Sequence, residues 1–220
     1  MNNQAVPVFI LREARVEYAR SSKKFTYPDI KIKGGECVCI SGPTGCGKTT
    51  LLNALFQPSF PGKVTYKEAS VSGQDLKSFS KGIFGTTSYM PQYAQDGLNP
   101  AMTVVKQIEA VMTGNNLKLS QDEINTKLAA LNLEPSVLKL YPHQMRGGMK
   151  QRLALMLAHL KKPVLMVLDE PSSAIDALTL RCMLDYLIAA KLGGAGLLIV
   201  SHDLGFTRHI ADVSVSLEAT

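Results

Sequence analysis

The segment CVCISGPTGCGKTTLLNALFQP, residues 37–58, limits the possible folds more than any other stretch of this chain. A short apolar run at 37–40 predicts a strand, residues 49–56 have helix-forming composition, and Pro58 ends that pattern. Between them Gly42, Gly45, Gly47, Lys48 and Thr49 match G-x-x-x-x-G-K-[ST] in the strand-then-helix setting the pattern requires. Glycines let the backbone curl until successive N–H groups point inward at an anion, and the helix that follows adds the positive end of its dipole. The spacing therefore predicts a phosphate cradle in which Lys48 reaches the β- and γ-phosphates and the Thr49 hydroxyl ligates Mg2+. Nothing else in the loop sequence offers the Lys48 ammonium an obvious partner.

A second segment, KKPVLMVLDEPSSAID, predicts a strand at 164–168 that is apolar throughout, as in a parallel sheet buried on both faces. Asp169 and Glu170 leave its carboxyl end, which is where α/β sheets bind ligands. Adjacent carboxylates there repel each other unless a cation sits nearby. Asp169 beside Mg2+ and Glu170 polarising the attacking water would resolve that conflict. A third strand, predicted at 197–200, runs into Ser201-His202-Asp203 and brings His202 to the same edge, near the γ-phosphate. The β-like run TTSYMPQ ends at Gln92, an amide suited to orienting the water or the metal.

The stretch MRGGMKQR places Gly147 and Gly148 ahead of a helix pattern at 149–160, with Leu153, Met156, Leu157 and Leu160 on one stripe. Glycines at a helix N-terminus again bare N–H groups to an anion. One chain then has two phosphate-seeking helix ends for one nucleotide. Head-to-tail pairing resolves this, each chain's Gly147 and Gly148 covering the nucleotide held by the other's Lys48.

At 220 residues and 45% apolar, the chain supports a single domain over 1–220. A helical lobe is expected as an insertion at about 95–150, where Ser120-Gln-Asp-Glu123 forms a capping box ahead of the stripe Ile124, Leu128 and Leu131. The N-terminus MNNQAVPVFI lacks the pattern of a secretory signal, and no apolar run approaches the ~18 residues of a membrane span. Cytoplasmic residence is expected, with Cys37, Cys39, Cys46 and Cys182 as reduced thiols and no protein-bound zinc. The net charge of +6 is scattered along the chain, which suits acidic ligands or a membrane surface and does not demand nucleic acid.

Taken in order, these motifs resemble the ATP-binding-cassette family. Gly42, Pro43, Thr44, Gly45, Cys46, Gly47, Lys48, Thr49 and Thr50 look like its Walker A, and Gln92 like its Q-loop. Met145, Arg146, Gly147, Gly148 and Met149 look like its signature, Asp169 and Glu170 the end of its Walker B, Asp176 its D-loop and His202 its switch histidine. The resemblance runs from about Tyr18, a candidate adenine-stacking aromatic, to the C-terminus. It implies an α/β P-loop NTPase with a RecA-like core, a small antiparallel β subdomain and the inserted helical subdomain. It further implies ATP hydrolysis catalysed by Glu170 with His202 and Gln92, Mg2+ being held by Thr49, Gln92 and Asp169.

Finer features, GLNPAMTVVKQI, VLKLYPHQM, GGMKQR and SHDLGFTRHIADVSV, resemble the peptide/nickel importers. That class implies a second, related ATPase subunit, usually in a heterodimer, with a homodimer also open. The pair would lie on the cytoplasmic face of a bacterial inner membrane beneath two integral permease subunits, served by an extracytoplasmic solute-binding protein. Nickel, another metal chelate and short peptides remain open as solutes. Residues 93–100 are either the permease contact or exposed loop. The alternative is a soluble cassette ATPase acting on nucleic acid or ribosomes, but the coiled coils, zinc modules and tandem cassettes usual there have no room, so no nucleic acid partner is expected. A GTPase would need Asn-Lys-x-Asp and Asp-x-x-Gly, and neither occurs. Two departures stand out. The signature's usual Leu-Ser is Met145-Arg146, whose guanidinium either meets an anion or turns into solvent, and with Thr220 following soon after the last predicted strand, the C-terminal extension of many peptide transporters is not expected.

Overall fold

Strands without a polar face must be covered on both sides, and that requirement organises the molecule. The computed structural model describes residues 6–19, 23–57, 59–78, 85–173 and 175–218. The chain opens with β1 (Pro7–Arg12), β2 (Arg15–Tyr18), β3 (Lys24–Thr26), β4 (Ile30–Lys33) and β5 (Cys37–Ser41), and helix α1 (Lys48–Phe56) follows the glycine loop. Four strands come next: β6 (Gly62–Thr65), β7 (Glu68–Val71), β8 (Gln74–Asp75) and β9 (Thr87–Met90). Helices α2 (Val104–Gly114), α3 (Gln121–Ala129) and α4 (Gly147–Leu160) lead to β10 (Leu165–Asp169) and α5 (Ala177–Leu192). The described chain closes with β11 (Gly196–Val200), α6 (Leu204–Ile210) and β12 (Val213–Ser216).

Among the described residues, a five-stranded sheet runs in the order β12-β5-β11-β10-β9, every neighbouring pair parallel. Alternate side chains leave it on opposite faces. Cys37, Cys39, Met166, Leu168, Leu197 and Ile199 pack with residues of α2 to α6, while Val38, Ile40, Leu165, Val167, Leu198 and Val200 pack with α1 and the antiparallel layer. That layer has two antiparallel sheets, β4-β1-β7-β8 and β3-β2-β6.

The elements expected from the sequence are present with shifted ends. Helix α1 starts one residue earlier, at Lys48, and α4 starts at Gly147, so both glycines lie inside its first turn. Asp169 is the last residue of β10 and not the first beyond it. Pro58 lies outside the described residues. Helix α4 buries Ala154 and Leu155 besides Leu153, Met156 and Leu160, while Leu157 is only half-buried. A single stripe was too narrow, because α4 packs against β9, α5, α2 and α3 together. The capping box of α3 is formed, Glu123 N–H donating to Ser120 Oγ at 3.2 Å and Ser120 N–H to Glu123 Oε2 at 2.7 Å.

Gly196 shows how closely the antiparallel layer meets the parallel sheet. A Cβ there would overlap Val8 Cγ2 and press on Ile32 Cγ2 at 3.1 Å and the Lys33 carbonyl at 3.2 Å. Val8 can rotate, but Ile32 is fully buried in the core. Gly196→Ala is therefore expected to lower unfolding stability by ~1–3 kcal/mol, read as a shifted denaturant midpoint; an unchanged midpoint would show that the layers separate freely.

Candidate active site

Parallel register brings four strand ends to one edge. Ile40, Val200 and Asp169 form one rung, and Leu168 pairs with Met90 on the other side of β10. The segments that leave this edge surround a cleft of about 280 Å3. Thr44, Gly45, Gly47, Lys48, Thr49 and Thr50 line it from the loop, joined by Gln92, Glu170 and His202 from the other strand ends.

Backbone conformation and packing both demand the glycines here. Gly45 has φ 85° and Gly47 φ 96°, in the left-handed region that a side chain disfavours. A Cβ on Gly47 would also lie 2.5 Å from Phe25 Cδ1 and 2.8 Å from the Tyr27 hydroxyl. The Tyr27 O–H donates to the Gly47 carbonyl at 2.9 Å, so β3 and the turn after it clamp the loop from outside. Burial pushes the Tyr27 phenol up, and it stays a donor at neutral pH. Sequence reasoning missed Phe25 and Tyr27, because nothing in the loop motif signals which distant residues will cover it.

Lys48 corrects one expectation. Its side chain is buried, and Nζ donates to the Gly42 carbonyl at 2.8 Å and the Pro43 carbonyl at 3.0 Å. The loop thus does offer the ammonium partners, because its curl turns two carbonyls inward that a linear motif does not reveal. Cys46 is buried beneath, with Sγ 3.9 Å from Nζ.

The two adjacent carboxylates point to different partners. Asp169 Oδ1 accepts from the Thr49 hydroxyl at 3.2 Å, and Glu170 Oε2 lies 2.8 Å from His202 Nδ1 and 3.3 Å from the His202 backbone N–H. Burial raises the Asp169 pKa to about 6; the Thr49 hydrogen bond opposes this and the Glu170 charge adds to it. Repulsion between the neighbours is present, as their adjacency suggests, but is a lesser effect than desolvation. Glu170 holds a left-handed φ of 48°, and its N–H donates to the Val200 carbonyl at 2.8 Å, which turns its carboxylate out of the sheet toward His202. Thr49 and Asp169 present hard oxygen donors side by side, a set that suits Mg2+. Gln92, two residues beyond β9, is half-buried on the opposite wall.

Tyr18 lies on the loop side, next to Thr50. Its hydroxyl shares a 3.2 Å hydrogen bond with Thr50 Oγ1 and its ring tilts against Phe60 at 5.1 Å, but it is not among the residues lining the cleft.

The residues Met145, Arg146, Gly147, Gly148 and Met149 are also absent from that lining. Met145 is buried, Arg146 is the exposed N-cap residue of α4 with no side-chain capping bond, and Gly147 faces open space. Gly148 has a packing role that the sequence did not suggest. A Cβ there would lie 2.6 Å from Thr179 Oγ1 and 3.4 Å from Asp176 Oδ2, so glycine lets α4 begin against the start of α5. Asp176 is the N-cap of α5, accepting from Thr179 N–H at 2.9 Å and Thr179 Oγ1 at 2.8 Å, bonds that hold its carboxyl below the usual range.

Residues 26–173 match the model of the family described as ABC transporter. The dipeptide transport ATP-binding protein DppD of Caldanaerobacter subterraneus subsp. tengcongensis is 30% identical over 217 residues, covering 93% of this chain and 65% of that protein. The Fe(3+) ions import ATP-binding protein FbpC of Pseudomonas fluorescens is 33% identical over 186 residues, covering 83% of this chain and 51% of that protein. The chain thus spans from about half to just under two thirds of these curated relatives. A solved ATP-binding subunit of an ABC transporter superposes with a TM-score of 0.78 at 21% identity, over 96% of this chain and 85% of that one. The dimeric bacterial ABC transporter cassette MJ0796 gives 0.72 at 23%, over 96% and 94%. At these identities the two structures show the fold.

A raised carboxyl pKa has a definite consequence for stability. The folded protein binds the Asp169 proton more tightly than the unfolded chain, so ionisation costs stability as pH rises from about 4 to about 6. Asp169→Asn removes that cost. In metal-free buffer it is expected to stabilise the chain by ~1–3 kcal/mol above pH 6, the gain shrinking toward pH 4. Denaturant titrations at several pH values check this, and a gain independent of pH would contradict the assignment.

Proposed function

This chain belongs to the ABC transporter family of ATP-binding proteins, and from that premise we propose that it is the ATP-hydrolysing subunit of an importer of a small solute. The observation that carries this proposal is the convergence of Lys48, Thr49, Gln92, Glu170 and His202 on one cleft, with Asp169 bonded to Thr49 at its base. Lys48 would exchange the Gly42 and Pro43 carbonyls for the outer phosphates of ATP, while loop N–H groups hold the rest of the chain of phosphates. Thr49, Asp169 and Gln92 would hold Mg2+, which when bound neutralises charge building on the phosphates. Glu170 would polarise the attacking water, its carboxylate aimed by the 2.8 Å contact with His202. Tyr18, joined to the loop through Thr50, is the proposed support for the adenine.

Met145 to Met149 lie away from the chain's own cleft, which supports a head-to-tail arrangement in which the exposed Arg146 and Gly147 face a partner's nucleotide, with Met145 and Gly148 packed behind them and Asp176 at the same junction. We take the partner to be a second ATPase subunit of related sequence, a heterodimer being favoured by the unusual Arg146. The domain is proposed as one cassette over 1–220 with a helical insertion at about 95–150. Relatives named for dipeptide transport and iron(III) import support integral membrane permease partners, with residues 93–100 as the contact, and an extracytoplasmic binding protein acting through them. The proposed location is the cytoplasmic face of a bacterial inner membrane; among the described residues no helix is long and apolar enough to cross one. The relatives' named solutes include dipeptides, choline, iron(III) and aliphatic sulfonates. Nickel, a metal chelate or a short peptide is the proposed cargo, its choice resting with the partner subunits.

Two experiments test this function. Lys48→Ala is expected to abolish measurable ATP binding in a titration, whereas Glu170→Gln retains binding and loses hydrolysis by ~100-fold or more. Wild-type turnover by Glu170→Gln would remove that residue from the catalytic role. In the assembled transporter, Arg146→Ser in a Glu170→Gln background is expected to raise turnover at the partner-side site. The site capped by Arg146 is proposed mainly to hold ATP while the site built on Lys48 and Glu170 hydrolyses it, and an unchanged rate would make Arg146 a surface residue without effect on the partner's nucleotide.

A further inference from the structure

The opposite edge of the parallel sheet, where β10 and β11 begin, carries a second cavity. At about 410 Å3 it is larger than the nucleotide cleft and within the range of small-molecule sites. Its apolar part comes from Pro163, Val164, Ala190 and Ala195, and its basic part from Lys127, His159 and Lys162. Lys127 lies in the last turn of α3, His159 in the last turn of α4, and Lys162 in the link to β10. The cavity therefore spans the junction between the helical segment and the sheet.

Two features of this cavity are unexplained by folding alone. Helix C-termini often gather lysines to cap their carbonyls, but here backbone N–H groups already do so. Lys162 N–H donates to the His159 carbonyl, and Gly193, Gly194 and Ala195 N–H groups donate to the Ala189, Lys191 and Ala190 carbonyls. Second, two like charges are brought together around a single acid. Burial lowers the Lys127 pKa, the Lys162 charge lowers it further, and the Glu123 charge offsets part of this. The Glu123 carboxylate faces both lysines and also accepts from the Ser120 N–H in the capping box. His159 is held down at about 4, chiefly by burial and then by the two lysines, so it is neutral at physiological pH. Its Nδ1 lies 3.1 Å from the hydroxyl of Tyr186, whose pKa burial pushes up to about 12.

We propose that this cavity binds a small organic anion, a carboxylate or phosphate group on a compact apolar body. Lys127 and Lys162 hold the charged group, and the proline, valine and alanine surface holds the body. Such a ligand offsets the lysine pair's repulsion and ties α3 to the start of β10, bracing the helical segment against the sheet. The site shares no residue with the nucleotide cleft and does not depend on the function proposed for it.

Phenyl phosphate is the probe, with inorganic phosphate as the head group alone. In calorimetry on the full chain carrying Lys48→Ala, which disables the glycine loop as a competing anion site, phenyl phosphate is expected to saturate at one equivalent. Lys127→Gln and Lys162→Gln are each expected to weaken it by about tenfold or more, the cost of one charge-assisted hydrogen bond. Lys127→Arg should retain binding. In the unaltered chain the His159 ring resonance should shift on addition of the probe, a readout that needs no substitution. No saturable binding, binding indifferent to both lysine substitutions, an unmoved His159 signal, or inorganic phosphate binding as tightly as phenyl phosphate would each overturn the proposal.

Discussion

The buried strands of a parallel sheet admit charge only where they end, and that constraint places the groups around the nucleotide cleft and the basic cavity. β10 and β11 are buried along their whole length, and β5 nearly so. Charge can enter only where these strands end. At the carboxyl edge stand Asp169, Glu170 and His202; at the amino edge stand Lys127, His159 and Lys162. The sheet thus separates an edge that combines acid groups with an anion-seeking loop from an edge that is basic.

At the carboxyl edge the loop is not self-supporting. Gly45 and Gly47 give it a shape that few residues tolerate, and the antiparallel layer then holds that shape through Tyr27 and Phe25. Lys48 is buried and held at the cleft by two loop carbonyls, so its cation is confined near the loop N–H groups before any anion arrives. Pre-orientation of this kind lowers the ordering cost of binding an anion. The same economy holds for Glu170, whose left-handed backbone and contact with His202 fix the direction of its carboxylate.

The start of α4 illustrates how one residue type can serve two ends. Gly147 opens onto free space, while Gly148 is glycine because Thr179 and Asp176 leave no room for a Cβ. Packing thus accounts for one glycine of the pair, and Arg146 in front of them carries a charge that the chain's own cleft does not meet.

Local chemistry was legible from residue order alone. The glycine spacing around Lys48, the apolar run into Asp169 and Glu170, and the capping box at Ser120 each depend on neighbours in sequence, and each stands in the structure within a residue of its expected place. The convergence of Gln92, Glu170 and His202 followed from knowing that parallel strands end at one edge. Tertiary structure alone decided what depends on contacts between distant segments: the carbonyls that hold Lys48, the Tyr27 clamp on Gly47, the split of Asp169 and Glu170 toward separate partners, and the close approach that requires Gly148. The basic cavity belongs with these, because Lys127 and Lys162 lie on different elements and only packing sets them at one mouth. Sequence spacing encodes periodicity and motif chemistry, whereas burial, and with it the pKa of Asp169 and the neutrality of His159, exists only once the sheet is covered.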